Sequence, residues 1–406
     1  MVMAGKEVMK RANALRDKAV QDRRFLHQNA EVGFDLAKTK RYVWQRLTEM
    51  GFQPKDCGKA GIIACVGKAR KGKKAFLLRA DMDALPIKEK TGASFACKTG
   101  AMHACGHDMH TAILLCAGGI LKAFEKELDG EVKLLFQPAE EILQGARNSV
   151  ENGCLENPNV GGALALHVLT GVPLDVGRVI VPECGVSAPS ADYFKIEVRG
   201  KSCHASAPQN GVDATVIAGH ILSGLQTVIA REISANIPAV LTVGKMASGS
   251  AGNAISDYAE LCGTLRAFDE EMREFIKKRV AEVSSGIARA FRGKAKTVFE
   301  GGCPSLLNDK EICRITAVAC KELLGAKGVI STADLAGGAV QKRSGGSEDF
   351  AYISRAVPSC MPSICAGNDK DGFGYPLHHP KTAFDERALP IGAGVLAYTA
   401  IKWLES

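Results

Sequence analysis

The stretch AFLLRADMDALP, Ala75–Pro86, runs a compact apolar segment straight into two carboxylates, Asp81 and Asp83, set two residues apart. The segment AFLLR has the look of a strand buried on both faces, as in a parallel sheet covered by helices. Two further runs share that character, VKLLF at Val132–Phe136 and ALALH at Ala163–His167. Helical stretches at Thr111–Leu128 and Glu140–Asn152 separate them, and an earlier helix through Leu36–Met50 stops at Gly51. Alternation of this kind predicts an α/β layer with a mixed, mostly parallel sheet flanked by helices. Groups at the carboxyl ends of such strands face the crevice where open α/β sheets bind ligands.

From about Asp192 the pattern changes. Tyr193–Arg199 alternates like a half-exposed strand, Val212–Arg231 is helical, and Val240–Met246 and Tyr258–Phe268 are strands. Asp269–Phe291 is again helical and Lys296–Glu300 a last strand, which makes the order β-α-β-β-α-β. That order is a split βαβ, or ferredoxin-like, unit. The expected organisation is therefore a first part over 1–189, an inserted α+β domain over 190–303 and a return to the first domain over 304–406. The chain closes on a helix through Leu389–Leu404. At 406 residues it exceeds the size at which one core usually stops growing, so two domains are expected on length as well.

Composition narrows the function classes. No run of about 18 apolar residues exists, so no membrane span is expected. The N-terminal MVMAGKEVMKRANALRDKAVQDRRFL is charged throughout and reads as an amphipathic helix, not as a signal peptide. Fourteen cysteines without such a signal point to a reducing, cytoplasmic setting. The net charge of +8 is modest for this length, and the one basic run, Lys68–Lys74, lacks interleaved aromatics. A nucleic-acid partner is therefore not expected.

Chemistry is densest at His103-Ala-Cys105-Gly-His107-Asp108-Met-His110, where three of the chain's nine histidines and a cysteine fall within eight residues. Thiolate and imidazole groups two residues apart suit zinc and similar borderline metals. No second Cys/His pair at short spacing follows, so further ligands must come from distant segments. Glu140 and Glu141 follow VKLLF, and adjacent carboxylates there can divide roles, one on a metal and one polarising water. Acidic residues in a helix's first turn would look the same. His167 ends ALALH, so three successive strands each deliver a potential ligand at the same end. Asp81 or Asp83 could orient an imidazole from behind or cap a turn. Far downstream, one of His378 and His379 could complete the site, and spacing does not choose between them. In the inserted domain, His204 could stabilise an oxyanion and Arg266, with Asn253 nearby in sequence, could hold a carboxylate.

Taken together, RADMDALP (Arg79–Pro86), HACGHDMHTA (His103–Ala112), FQPAEE (Phe136–Glu141), LALHV (Leu164–Val168) and LHHP (Leu377–Pro380) resemble a known family. So do GKSCHASAPQNGVDA (Gly200–Ala214), the Asn253 and Arg266 region, and SGGSEDFAYI (Ser344–Ile353). The chain is similar to the aminoacylase, hippurate hydrolase and auxin-conjugate amidohydrolase group of dinuclear metallopeptidases. The resemblance implies a zinc-exopeptidase-like catalytic domain whose inserted domain serves as lid and dimerisation surface. It implies two divalent ions (Zn, Mn, Ni or Co) held by Cys105, His107, Glu141, His167 and His378, with Glu140 as general base and then acid. Asp83 would support the site, and Asp81 stands where many relatives have a histidine ligand. His204 would reach a neighbouring subunit's site, while Asn253 and Arg266 would contact the substrate carboxylate. The implied substrate is a small N-acyl amino acid. A dipeptidase and a deacetylase of a biosynthetic intermediate are rivals of the same chemistry, and a non-catalytic metal-binding protein is a rival of another class. Relatives often carry His-Pro-Glu where this chain has His27-Gln-Asn29-Ala30-Glu31.

Overall fold

The structure is a computed structural model that describes residues 5–70, 72–335 and 345–406. Lys71 of the basic run and Ser344 of the Ser344–Ile353 motif lie outside the described residues. The chain divides into two compact units. One takes in the chain up to Ser187, the segment from Leu307, and Asp349–Ser406; the other takes in Ala188–Leu306 and a short stretch ending at Glu348.

The first unit is built on a six-stranded sheet. Its strands in chain order are β1 (Lys55–Cys57), β2 (Gly61–Gly67), β3 (Ala75–Asp81), β4 (Glu131–Gln137) and β5 (Val160–Ala165), with Ser359–Cys360 at one edge. The spatial order is β1-β2-β4-β3-β5 and then Ser359–Cys360. β3, β4, β5 and the edge strand run parallel, and β2 is antiparallel to both of its neighbours. Every residue of β3 is buried, as expected for a strand covered on both faces. The helices His107–Ala123 and Ala388–Glu405 are buried around most of their circumference, so they belong to the core and not to the surface. Among the described residues no helix is long and apolar enough to cross a membrane.

Two helix starts differ from the sequence reading, and both bear on the site. The helix expected from Thr111 begins at His107, so that His107 and His110 occupy its first turn, three residues apart and on one face. Conversely, the helix expected from Glu140 begins only at Gly145. Ala139 and Leu143 adopt left-handed backbone, with φ of 57° and 55°, which keeps residues 139–144 out of a helix. The strand expected to end at His167 stops at Ala165; His167 instead opens a short strand, His167–Leu169, in a separate four-stranded sheet.

The second unit has the element order β-α-β-β-α-β. Its strands β6 (Ala191–Arg199), β7 (Ala239–Ser248), β8 (Tyr258–Ala267) and β9 (Lys294–Cys303) form an antiparallel sheet in the order β7-β8-β6-β9. Asp213 and Asp269 cap its helices Ala214–Thr227 and Glu270–Ala290 by accepting first-turn amide hydrogens. A separate core forms between these helices and the sheet, centred on Ile196, Ile221, Leu261 and Val280.

Candidate metal centre

Three parallel strands carry the first parts of the site. β3 ends at Asp81, with Asp83 two residues beyond; β4 ends at Gln137, just before the Ala139–Glu141 loop; His167 follows β5. Cys105 and His107 come from the entry to the helix His107–Ala123, with Gly106 between them at a φ of 85°. A side chain at Gly106 would place its Cβ 2.4 Å from Val168 Cγ2, so only glycine fits this close approach.

Donor atoms gather in overlapping groups whose members lie within 4.8 Å of one another: Cys105 with His107 and His167, Cys105 with Glu141 and His378, and His107 with Glu140 and Glu141. Cys105 Sγ is 3.5 Å from His167 Nε2, and His107 Nε2 is 3.9 Å from Glu140 Oε2 and 3.8 Å from Glu141 Oε1. His378 Nε2 is 3.6 Å from Glu141 Oε2. The His378 backbone has a φ of 65°, and its amide donates to the Ala104 carbonyl at 2.9 Å, tying this distant loop to the Cys105 segment. His379 faces elsewhere. Its ring stacks on Tyr375 at 4.6 Å and its Nδ1 accepts the Lys381 amide hydrogen.

Neighbouring groups fix the orientation of these side chains. Asp83, fully buried, accepts the backbone N–H of Glu140 at 2.9 Å and of Glu141 at 3.2 Å, so one carboxylate sets the loop that carries both acids. The His167 Nδ1–H donates to the Val168 carbonyl at 2.7 Å, leaving Nε2 on the side of Cys105. His110, although close to Asp81 and His107, has both ring nitrogens committed: Nδ1–H donates to Asp81 at 2.6 Å and Nε2 accepts the Val168 amide at 2.9 Å. Behind Asp81 lies Arg79, which donates to Asp81, Gln137 and Asp349. Asp349 also accepts the Ala146 amide at 2.8 Å. Arg79 and Asp349 lie inside the motifs RADMDALP and SGGSEDFAYI, but nothing in their local pattern marks either one individually. The signal available was a buried arginine in a strand, which needs acidic partners.

The donor set suits divalent cations. His107 is almost fully buried, yet among the described residues neither of its ring nitrogens has a partner at hydrogen-bond distance, Asp83 Oδ1 lying 3.6 Å from Nδ1. Burial opposes a charge on this imidazole, but Asp81, with Asp83 and Cys105 beside it, holds it well above its usual range. The surroundings thus favour positive charge at this spot, which bound cations also supply. Burial holds the Cys105 thiol well above its usual range, so its thiolate needs a neighbouring cation. Burial and the nearby His110 lower His167 to about 3, keeping its imidazole neutral as a ligand must be. His103, also buried, is lowered to about 3 by burial and stands next to His27, in none of these donor groups.

The remaining predicted residues belong to the second unit. His204 pairs with Ala254 across a two-residue strand, and the Ala205 amide donates to the Asn253 carbonyl at 3.0 Å. This brings His204 and Asn253 to one place. His204 Nδ1 accepts the Ser206 backbone N–H at 3.2 Å, which puts the ring proton on Nε2, and Ser206 Oγ lies 2.7 Å from the same nitrogen. Arg266 stands on β8, donating to the Leu265 carbonyl at 2.9 Å, with its guanidinium 5.6 Å above the Tyr193 ring.

Comparison with known proteins matches residues 77–402 to the model of peptidase family M20/M25/M40. An N-acetyl-L-cysteine deacetylase of Bacillus subtilis is 37% identical over 384 residues, covering 94% of this chain and 87% of that protein. The IAA-amino acid hydrolase ILR1-like 4 of Arabidopsis thaliana is 34% identical over 389 residues, covering 94% and 84%. The crystal structure of Bacillus subtilis YXEP protein, a dinuclear metal-binding peptidase, superposes with a TM-score of 0.77 at 30% identity, covering 97% of this chain and 99% of that one.

Proposed function

The chain belongs to peptidase family M20/M25/M40 and is a metal-dependent hydrolase of amide C–N bonds, and from that premise we propose the residues that carry its reaction on N-acyl amino acids. Two divalent ions are its cofactors. We assign their ligands to Cys105, His107, Glu141, His167 and His378. One observation carries this reading: three donor groups overlap through Cys105, His107 and Glu141, with Glu140 beside them. The metals, when bound, lower the pKa of water toward neutrality and polarise the acyl carbonyl.

The chain's own residues handle the proton and the substrate. Glu140 removes a proton from the attacking water, holds it on a carboxylate oxygen and returns it to the departing amine nitrogen. The products are a carboxylic acid and a free amino acid. Asp83 keeps Glu140 aimed by holding its amide. His204, carrying its proton on Nε2, donates to the developing oxyanion, and Asn253 and Arg266 hold the amino acid's α-carboxylate. In this reading the inserted unit, over about residues 190–303, is a lid. It is also the surface joining two copies, for which β7 is suited: it is an edge strand of ten residues with Val240 and Met246 exposed. A cytoplasmic location accords with fourteen free cysteines.

Substituting Glu140→Gln tests the assignment. Metal content should stay at the wild-type level while kcat falls by about 10²–10⁴, and near wild-type turnover would remove Glu140 as the base. A panel of N-acetyl, N-benzoyl and dipeptide substrates separates amidase, deacetylase and dipeptidase action. Loss of hydrolysis to a chelator and its return with added Zn, Mn, Ni or Co ranks the ions.

A further inference from the structure

A second cluster of reactive groups lies in the first unit, outside the proposed metal centre. Cys313 sits in the first turns of the helix Lys310–Leu324, and Cys360 is in the edge strand Ser359–Cys360. The Cys313 thiol donates to Cys360 Sγ at 3.4 Å. Two buried thiols in contact often do no more than pack as small apolar groups. Here, however, the two differ in access. Cys360 is wholly buried, whereas Cys313 forms part of the wall of a surface cleft of about 370 Å³.

The charges around that cleft are of both signs. Lys310, Arg314 and Lys321 line it along one helix, and Glu183 and Asp334 face it from other segments. Among the described residues Lys310 and Lys321 form no ion pair, whereas Arg314 is engaged by Glu311. A ligand bearing both carboxylate and ammonium groups meets complementary partners in such a cleft, whose wall includes Cys313 and the exposed Cys184.

We propose that Cys313 and Cys360 form a dithiol site that exchanges with a small zwitterionic disulfide, of the amino-acid disulfide class, bound in this cleft. The Cys313 thiol loses its proton to solvent and attacks one ligand sulfur. The ligand's S–S bond breaks, one half leaves and takes up a proton, and Cys313 is left as a mixed disulfide. Cys360 Sγ then attacks Cys313 Sγ, its proton passing to the second half as that half leaves as a thiol, and the protein disulfide forms. Two electrons pass from the protein thiols to the ligand, which ends as two thiols. Closing the contact from 3.4 Å to a bond of about 2.05 Å needs side-chain movement, with the two residues already adjacent.

The test treats the full-length, metal-loaded protein with cystine, or with uncharged bis(2-hydroxyethyl) disulfide. N-ethylmaleimide then blocks the remaining thiols under denaturing conditions before peptide mapping. With cystine, a peptide joining Cys313 to Cys360 should form, preceded by a cysteinyl adduct on Cys313. Cys360→Ser should halt the reaction at that adduct, and Cys313→Ser should leave Cys360 unmodified. If Cys360→Ser fails to fold, the order of appearance of adduct and linked peptide in the wild type carries the same information. Lys321→Gln should slow the cystine reaction by about two- to fivefold and leave the uncharged reagent unaffected. Recovery of both residues fully alkylated, with cystine adducts only at other thiols, including the exposed Cys184 that also lines this cleft, overturns the proposal. Equal slowing of both reagents by Lys321→Gln overturns recognition of the charged ligand.

Discussion

Asp83 offers the most direct test of how the site is held. Its carboxylate is fully buried and accepts two amide hydrogens, from Glu140 at 2.9 Å and from Glu141 at 3.2 Å. Asparagine keeps the shape but supplies one acceptor oxygen and one NH₂ group. One of the two amides would then face a donor. A hydrogen bond to a charged group contributes about 1.5–3 kcal/mol, and a buried unpaired donor costs a similar amount, so Asp83→Asn should lose roughly 2–4 kcal/mol. The loop has other local bonds, Leu143 N–H to the Glu140 carbonyl and Gln144 N–H to the Ala139 carbonyl. It can therefore shift without global unfolding, and the loss should fall on the placement of Glu140. At about 1.4 kcal/mol per factor of ten, kcat should drop roughly 30- to 1,000-fold. The assay is kcat on an N-acetyl amino acid at saturating metal, with metal content by elemental analysis and a thermal melt alongside. A variant with kcat within about threefold of wild type and unchanged metal content would refute the anchoring argument.

Three further outcomes are expected. Cys105→Ala should lower bound metal, and unchanged metal content would take Cys105 out of the ligand set. Gly106→Ala forces an L-residue to a φ of 85° and sets its Cβ 2.4 Å from Val168 Cγ2. Those effects cost about 1–2 and 1–3 kcal/mol, so melting should fall by about 3–8 °C; an unaltered melt would mean the segment relaxes freely. His27 is buried, which alone would lower its pKa, but Asp108 at 2.8 Å and Glu89 at 3.1 Å raise it from 6.5 to about 9. Because the folded value is the higher one, protonated His27 stabilises the fold fully below pH 6.5, progressively less above it, and not beyond about pH 9. Its contribution is on the order of 3 kcal/mol. The melting difference between wild type and His27→Gln should therefore shrink from pH 6 to pH 10, and a constant difference contradicts the pairing.

Much of the architecture follows from local pattern. The unbroken burial of β3 is already visible in AFLLR, and the β-α-β-β-α-β order of the second unit is visible in its alternating runs. Strand direction then sends Asp81, Glu140, Glu141 and His167 to the same side, since parallel strands share one carboxyl end. Tertiary contacts decided what each of those groups faces. Of the three histidines in His103–His110, His107 joins donor groups with Cys105 and with Glu140 and Glu141, His110 lies in a group with Asp81 and His107 but is consumed by Asp81 and the Val168 amide, and His103 turns toward His27. The reason is distance along the chain: His110 meets Asp81 across 29 residues, Arg79 meets Asp349 across 270, and Glu140 meets Asp83 across 57. The late helix start at Gly145 has the same origin. A carboxylate 57 residues away holds the Glu140 amide, and the left-handed residues on either side stop the helix that local propensity favours. Sequence thus determined which chemical groups arrive at the sheet's edge, because periodicity is local. Which atom of each points at which neighbour was decided only by packing and hydrogen bonds between segments far apart in the chain.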